Sequence, residues 1–504
     1  VNGTYYFWLA GFVVLIALSL AWKEKLRSLA LTALAIYATV FIGTSVVSSF
    51  QARARGNAAY VKADRAELNL KLSSGFVAVE SYSPFRDKKS SDEVIAKFYK
   101  DAIECLDDAI KEAPKSSILR ARKIIIEMDR GKSTAEDLKE LAKIDSDKAR
   151  DLHLLLSSIA AHKKVPPEQF KKLETIAGKT VPAGWYRQIV KLQLYKALGE
   201  KKDFKKLHQD FLENYMYFMV RLGVLFMVVA LAAVAGFFVI LAQLFFMKRS
   251  PTSEAERDLI SAPPGWTWKT VFAVFAGWLC VEFLLGPPLK GISSNLGTIA
   301  TEQGATMVAL MTALLYLLQN LPAIFLIWLL ALRPNKLPFM ETMKIRTKVG
   351  KTGPYKLVAA GVGTWYAAIP VIIATVFLVT RLGFQGSDNP IVAIVLTAAK
   401  DASPFGVFLF ILTLGVLPAL VEEVLFRGFL YTSLRRKLGA FSSIIISAAL
   451  FSLAHLDLGG AIQLFCLGFL FAFIFEKTKS LIPSMICHCM WNSGMFLMAM
   501  MLFS

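Results

Sequence analysis

The side chains best suited to chemistry stand where an apolar chain has least use for them. Glu422, Glu423 and Arg427 interrupt LVEEVLFRGFLY, Phe451 and His455 lie in LFSLAHL, and His488 and Asn492 lie in ICHCMWNSG. An ionisable group inside a lipid-spanning segment is expensive, so each is by default a functional-site hypothesis. The chain has five histidines; His153, His162 and His208 lie in a polar stretch, and the other two are these. A carboxylate beside an imidazole can take a proton from water, and two hydrogen-bond donors can steady an oxyanion. The residue types therefore suit attack by an activated water.

Spacing adds direction. Glu423 and Arg427 are four apart with the acid first, the order that favours an ion pair along one helix face. Glu422 is rotated by about 100° from Glu423 and can face a cavity instead. His488 and Asn492 are also four apart, as are Phe451 and His455. Glu422, His455 and His488 could supply a catalytic zinc with three N/O ligands. However, no HExxH is present and Asn492 is a poor zinc ligand, so the expectation is a metal-free site with no cofactor. Cys487, His488 and Cys489 are adjacent, point about 100° apart on a helix, and cannot converge on one ion.

Plainer readings exist for each position. The two glutamates could be structural partners of Arg427 and of the basic run at Arg435. A lone membrane histidine, or Asn492, could be an interhelical hydrogen-bonding residue. Phe451 suits packing. Glu282, Gln319 and Asn320 could line the same cavity or bond between helices. Gly361 and Gly363 fit close helix packing better than nucleotide binding.

The elements that must position these groups are apolar helices. Of 504 residues, 55% are hydrophobic and 19% charged, with a mean hydropathy of +0.51. Soluble domains carry about a quarter charged residues, which excludes an ordinary soluble protein. Candidate spans of roughly 20 residues fall at 5–22, 28–50, 217–247, 267–285, 305–332, 357–382, 405–431, 440–455, 459–475 and 481–503. The first lacks a basic leader and is followed at once by another apolar segment, so it is expected to be retained as a span. The net charge of +19 belongs largely to loops rather than to a nucleic-acid site. Lys23, Lys25 and Arg27 follow the first span; Lys248 and Arg249 the third; Arg333 to Lys356 the fifth; Arg435 to Lys437 the seventh; Lys477 and Lys479 the ninth. The loops after the fourth, sixth and eighth carry little beyond Lys290, Lys400 and Asp457. This alternation places both termini outside.

The apolar pattern breaks at 51–214, which hold 33 Lys and Arg against 25 Asp and Glu. Residues 94–128, with a break at Pro114, and 185–215, around Gly199, have helical periodicity. Both resemble tetratricopeptide-type hairpins, though with an irregular period. The expectation is a soluble all-α insert, either with solvated faces or with a groove for a protein partner, on the extracytoplasmic side. The chain then divides into a transmembrane hairpin (1–50), this insert (51–214) and an eight-span core (215–504).

Measured from the basic loops at ~1.5 Å per residue, Glu422 lies roughly 16 Å deep, His455 22 Å, and His488 and Asn492 roughly 12 and 18 Å. Groups from separate helices share one slab near the bilayer middle, which predicts a common site. EEVLFR, FSLAH and HCMWN, in that order and each on its own span, resemble the EExxxR, FxxxH and HxxxN/D signatures of the CPBP family. That family comprises CAAX proteases and bacteriocin-processing enzymes, including type II CAAX prenyl endopeptidases and abortive-infection proteins. The resemblance covers about 400–500 and fits an eight-span core.

It implies endoproteolysis at or within the membrane, with Glu422 as the base on water and His455 helping to hold that water. It further implies His488 and Asn492 at the oxyanion, with Glu423 and Arg427 bracing the helix and a bacterial inner-membrane setting. The implied partners are membrane lipid and a protein or peptide substrate, lipidated in the type II relatives. The chain's own ending, MLFS, has no CAAX box. Two other classes fit the same slab: a non-catalytic receptor or immunity-type protein binding a peptide or lipid there, and a proton-relaying transporter. The transporter lacks the expected repeat symmetry, because the acids cluster in the final third.

Overall fold

The structure, a computed structural model, describes residues 58–82, 88–161, 166–199, 201–245, 266–294, 305–381, 403–455 and 459–503, with isolated positions between them. The spans expected at 5–22 and 28–50 lie outside the described residues, as do Lys248, Arg249 and Lys400. Apart from an isolated bridge between Val349 and Thr352, the described regular elements are helical. The described residues fall into two compact units divided between Val224 and Leu225.

The first unit begins with α1 (Ala58–Tyr82), α2 (Lys88–Glu112), α3 (Ser117–Asp129) and α4 (Ala135–Ala142), and continues with α5 (Asp147–Ala160), α6 (Pro167–Thr180) and α7 (Trp185–Leu198). Local signals set the ends. Ser116 and Ser146 cap α3 and α5 by accepting from Leu119 N and Ala149 N, each cap contributing about 1 kcal/mol. Pro167 opens α6, where its missing N–H is harmless. Gly199, at φ 83°, closes α7 in the left-handed region that glycine tolerates. Consecutive helices pack around a core that includes Leu70, Ile125, Leu155, Trp185 and Tyr186. The buried Trp185 indole donates to Ser74 Oγ at 2.7 Å, and Tyr99 Oη donates to Asp129 at 2.7 Å. Helix lengths run 25, 25, 13, 8, 14, 14 and 14 residues, so no constant repeat of about 34 residues is present.

One correction concerns α8 (Lys201–Phe245), a single helix of 45 residues. The composition suggested a soluble helix ending near 215 and a span starting at 217; the backbone runs through without a break. No glycine or proline lies between Glu213 and Tyr217, so nothing local stops the helix.

The second unit contains α9 (Trp268–Ser294), α10 (Ala305–Ile327, extended by a π turn to Leu332), the single turn α11 (Phe339–Thr342) and α12 (Pro354–Arg381). It continues with the rod α13 (Pro404–Arg435), then α14 (Ala440–Ala454), α15 (Ala461–Thr478) and α16 (Ile482–Phe503). Each expected span from 217 onward coincides with one of these helices or with α8. Among the described residues, five are long and apolar enough to cross a membrane, and α14 is a shorter apolar helix. The chain is an all-α polytopic membrane protein. Lys290 and Lys477, expected in loops, lie within α9 and α15, because neither helix stops where its apolar run does.

Small residues let the rods approach. A Cβ on Gly361 would meet Pro483 O at 2.8 Å, so this glycine seats α12 on α16, the close-packing role expected of it. A Cβ on Gly468 would lie 3.1 Å from both Ala448 Cα and Phe451 Cδ1, which seats α15 on α14. At one end of the unit Arg435 makes two bonds to Glu476, at 3.1 and 3.0 Å, and Tyr431 Oη donates to the same carboxylate at 2.7 Å. The neighbouring basic loops also touch: Ser480 Oγ donates to Arg346 O at 2.6 Å and Leu481 N to Lys344 O at 2.9 Å.

Candidate active site

Along α13, a regular turn from Leu417 to Glu423 is flanked by π-helical stretches, Ile411–Val416 and Val424–Tyr431. Pro418 sits just after the first of these. It has no N–H to offer the preceding turn, and a widened turn accommodates its ring. The two glutamates thus emerge at the junction of two helical geometries, where π turns commonly re-aim functional side chains.

Glu423 is wholly buried and fully engaged. It accepts from Arg427 Nη1 at 2.8 Å, from His488 Nδ1 at 2.9 Å, and from Ser484 Oγ. Arg427, also wholly buried, donates through Nη2 to Gly468 O at 3.0 Å. Its guanidinium carbon lies 4.4 Å from the Phe451 ring centre and 5.2 Å from that of Phe471. A buried charge is tolerable only when paired and hydrogen-bonded, and here each has its opposite beside it. Arg435 pairs with Glu476.

The imidazoles are held from behind. The Glu423 carboxylate accepts the Nδ1–H of His488, whose ring stacks on Phe471 at 4.7 Å and 20°. His455 ends α14, and its Nδ1 is 2.8 Å from Phe451 O. A carbonyl oxygen can only accept, so the proton of His455 sits on Nδ1. In both rings Nε2 is left facing Glu422. The distances from Glu422 Oε2 are 3.8 Å to His455 Nε2 and 3.9 Å to His488 Nε2. Oε2 is buried and makes no direct hydrogen bond. These separations exceed a direct hydrogen bond and suit one water held between the groups.

Phe451 is the packing hub expected of it, in ring contact with Phe426, Phe471, His455 and His488. Asn492 lies one turn past His488 on α16, half-buried. The structure thus brings Glu422, His455 and His488 to one point, with Asn492 a turn away. The Asn320 amide donates back to Tyr316 O at 3.1 Å within its own helix.

Sequence reasoning missed Ser484, Phe471 and Gly468. Ser484 was within reach, since it precedes His488 by four residues and so shares its helix face. The other two act from α15, whose contribution no local pattern announces. As to metal, no group of three or more His, Cys, Asp and Glu side chains among the described residues is arranged to hold an ion.

Residues 404–494 match the family described as Rce1-like, type II CAAX prenyl endopeptidase. Among curated proteins, the Bacillus subtilis (strain 168) protein named "Putative membrane peptidase YdiL" is 29% identical over 90 residues. That match covers 18% of this chain and 37% of the relative, so the chain spans about 37% of the length of the curated protein it matches. No solved structure matches. The matched segment includes α13 to α15 and the part of α16 that bears His488 and Asn492. It is a domain of the CAAX-protease, or CPBP, class, set in an integral membrane protein.

Proposed function

We propose that the protein is an intramembrane endopeptidase that activates water with Glu422. The carrying observation is the placement of Glu422 Oε2 at 3.8 and 3.9 Å from Nε2 of the two imidazoles. Glu422 takes a proton from the water, whose oxygen attacks the scissile carbonyl carbon. His455, with Nδ1–H on Phe451 O, accepts the water's other hydrogen at Nε2 and fixes its orientation. The carbonyl oxygen becomes an oxyanion facing His488 and Asn492. For His488 to donate there, Nε2 must carry a proton as well as Nδ1. Collapse of the intermediate breaks the C–N bond, and Glu422 returns its proton to the leaving nitrogen.

The reading takes as substrate a membrane-associated or lipidated protein, with no metal or other cofactor. It places residues 51–214 on the extracytoplasmic side of a bacterial inner membrane, where the insert would bind a protein partner. The contact between the basic loops at 344–346 and 480–481 supports a common cytoplasmic face for them.

The test is hydrolysis by the purified full chain, in micelles, of a farnesylated C-terminal reporter peptide and an unlipidated transmembrane reporter. The reading expects Glu422→Gln to lose about 10²–10⁴ in rate and chelator to leave the parent protein active. Retained turnover in Glu422→Gln contradicts the base assignment. Loss of turnover with chelator, restored by zinc, supports the metal-dependent variant of the same protease.

A further inference from the structure

Among the residues brought to the site, His455 stands at a helix end. It closes α14 and is followed by a short connection to α15. Helix ends fray, because their last carbonyls lack partners within the helix. The ring is directed by the Phe451 carbonyl one turn back, at 2.8 Å, so its aim follows whatever fixes that last turn. His488, by contrast, lies inside α16 and is held by Glu423 and Phe471.

Two side-chain bonds fix the turn. Ser452 Oγ donates to Ala461 O, on the first residue of α15, at 2.7 Å. The Ser452 carbonyl also accepts His455 N at 3.2 Å, so one residue joins the histidine's own turn to the next helix. Asp457, two residues beyond His455, accepts Gly460 N on Oδ1 at 3.0 Å, which folds the connection back just before α15 begins. Short polar side chains bond nearby backbone N–H groups in this way where a chain must turn. A Cβ on Gly460 would lie 2.6 Å from Asp457 Oδ2, so the carboxylate lies in the space a side chain there would need. Asp457 is the charged residue of a connection otherwise made of leucine and glycine, and neither the base nor the oxyanion uses it.

We propose that Asp457 is a positioning residue for His455. Its bond to Gly460 N, with that of Ser452 to Ala461 O, clasps the α14–α15 connection and keeps His455 Nε2 aimed at Glu422. The proposal rests on His455 holding the reacting water, and it adds a residue that touches neither water nor substrate. Loss of the clasp frees the last turn of α14. Nδ1 then parts from Phe451 O, the ring loses its fixed tautomer, and Nε2 is no longer a constant acceptor 3.8 Å from Glu422 Oε2. The role needs an acceptor oxygen at position 457, not a negative charge.

Two readouts test this on the purified full chain in micelles. The first needs no substrate. In nitrogen NMR of the histidine-labelled protein, the ring signals that vanish in His455→Ala are assigned to His455. Asp457→Ala is expected to move them from a single Nδ1–H tautomer toward a mixture of the two, with the other histidines unmoved. Asp457→Asn is expected to restore them, because its amide oxygen still accepts from Gly460 N. The second readout is hydrolysis of the farnesylated reporter. There Asp457→Ala should lower kcat about tenfold with KM unchanged, and Asp457→Asn should recover the loss. His455 signals unmoved in Asp457→Ala overturn the proposal. So does an equal loss of kcat in Asp457→Ala and Asp457→Asn, which would assign the effect to the charge. Full kcat in Asp457→Ala when His455→Ala is inactive also overturns it and leaves the role of His455 standing. Full activity in His455→Ala instead removes the reading on which the proposal rests.

Discussion

Glu423 accepts a hydrogen bond from His488 Nδ1 at 2.9 Å while the neighbouring Glu422 faces Nε2 of the same ring at 3.9 Å. Adjacent carboxylates thus grip one imidazole from opposite sides. Glu423 is closed off by Arg427 and Ser484 and holds the ring in place. Glu422 keeps a carboxylate oxygen free of direct bonds, as the proposed role of base requires.

This division of labour predicts opposite phenotypes on one helix. Arg427→Met leaves the Glu423 charge buried without its main partner, and loss of one member of a buried pair costs about 3–5 kcal/mol. Chemical denaturation of the full chain in micelles should show that loss, whereas Glu422→Gln should unfold at the parent's midpoint. Equal destabilisation by both would contradict separate roles.

His488 and Asn492 should separate in the same way. His488→Ala removes a ring that packs on Phe471 and bonds Glu423, so stability and activity should fall together. Asn492→Ala should lower kcat by about 10²–10³, the usual effect of losing one oxyanion donor, with an unchanged unfolding midpoint. Kinetics on the reporter peptides paired with thermal unfolding would check both.

Gly468 permits the approach of α15 to α14 and offers its carbonyl to Arg427. An added methyl would press on Phe451, whose carbonyl holds His455. Gly468→Ala should cost about 1–3 kcal/mol, as overpacking does, and should reduce turnover without any catalytic atom being removed. Parent-like stability and activity would show that the helices have room to spare.

In the first unit, burial first and the neighbouring Asp137 second push Glu127 up from its ordinary 4.5 to about 7, with Lys123 opposing them. Between those values the folded form binds more protons than the unfolded form. Stability of this unit should therefore fall as pH rises from about 4.5 to 7. Glu127→Gln should flatten that slope, read as pH-dependent amide exchange protection across α3 in the full chain. A slope unchanged by the substitution would assign the effect to other groups.

The elements and most of the site were legible in sequence for a physical reason. Lipid-spanning helices announce themselves by long apolar runs, and a charged or imidazole side chain within one stands out at once. Glu422, Glu423, Arg427, His455 and His488 were found that way, and a shared depth was enough to predict that they meet. What the sequence concealed was orientation and long-range packing. Regular helical spacing does not contain the π turns around Leu417–Glu423, which aim both glutamates at one ring. Gly468 and Phe471 look like ordinary members of an apolar helix. The continuity of α8 through 214–217 was hidden because composition changes there while helical geometry does not.

The central claim is that Glu422 and His455 act on one water. The most direct measurement is kcat/KM on a reporter peptide for Glu422→Gln, His455→Ala and the two combined. Groups that serve one reacting atom are strongly non-additive. The double variant is predicted to be no slower than the slower single variant. Losses that multiply in the double variant would show the two residues acting independently and would contradict the account.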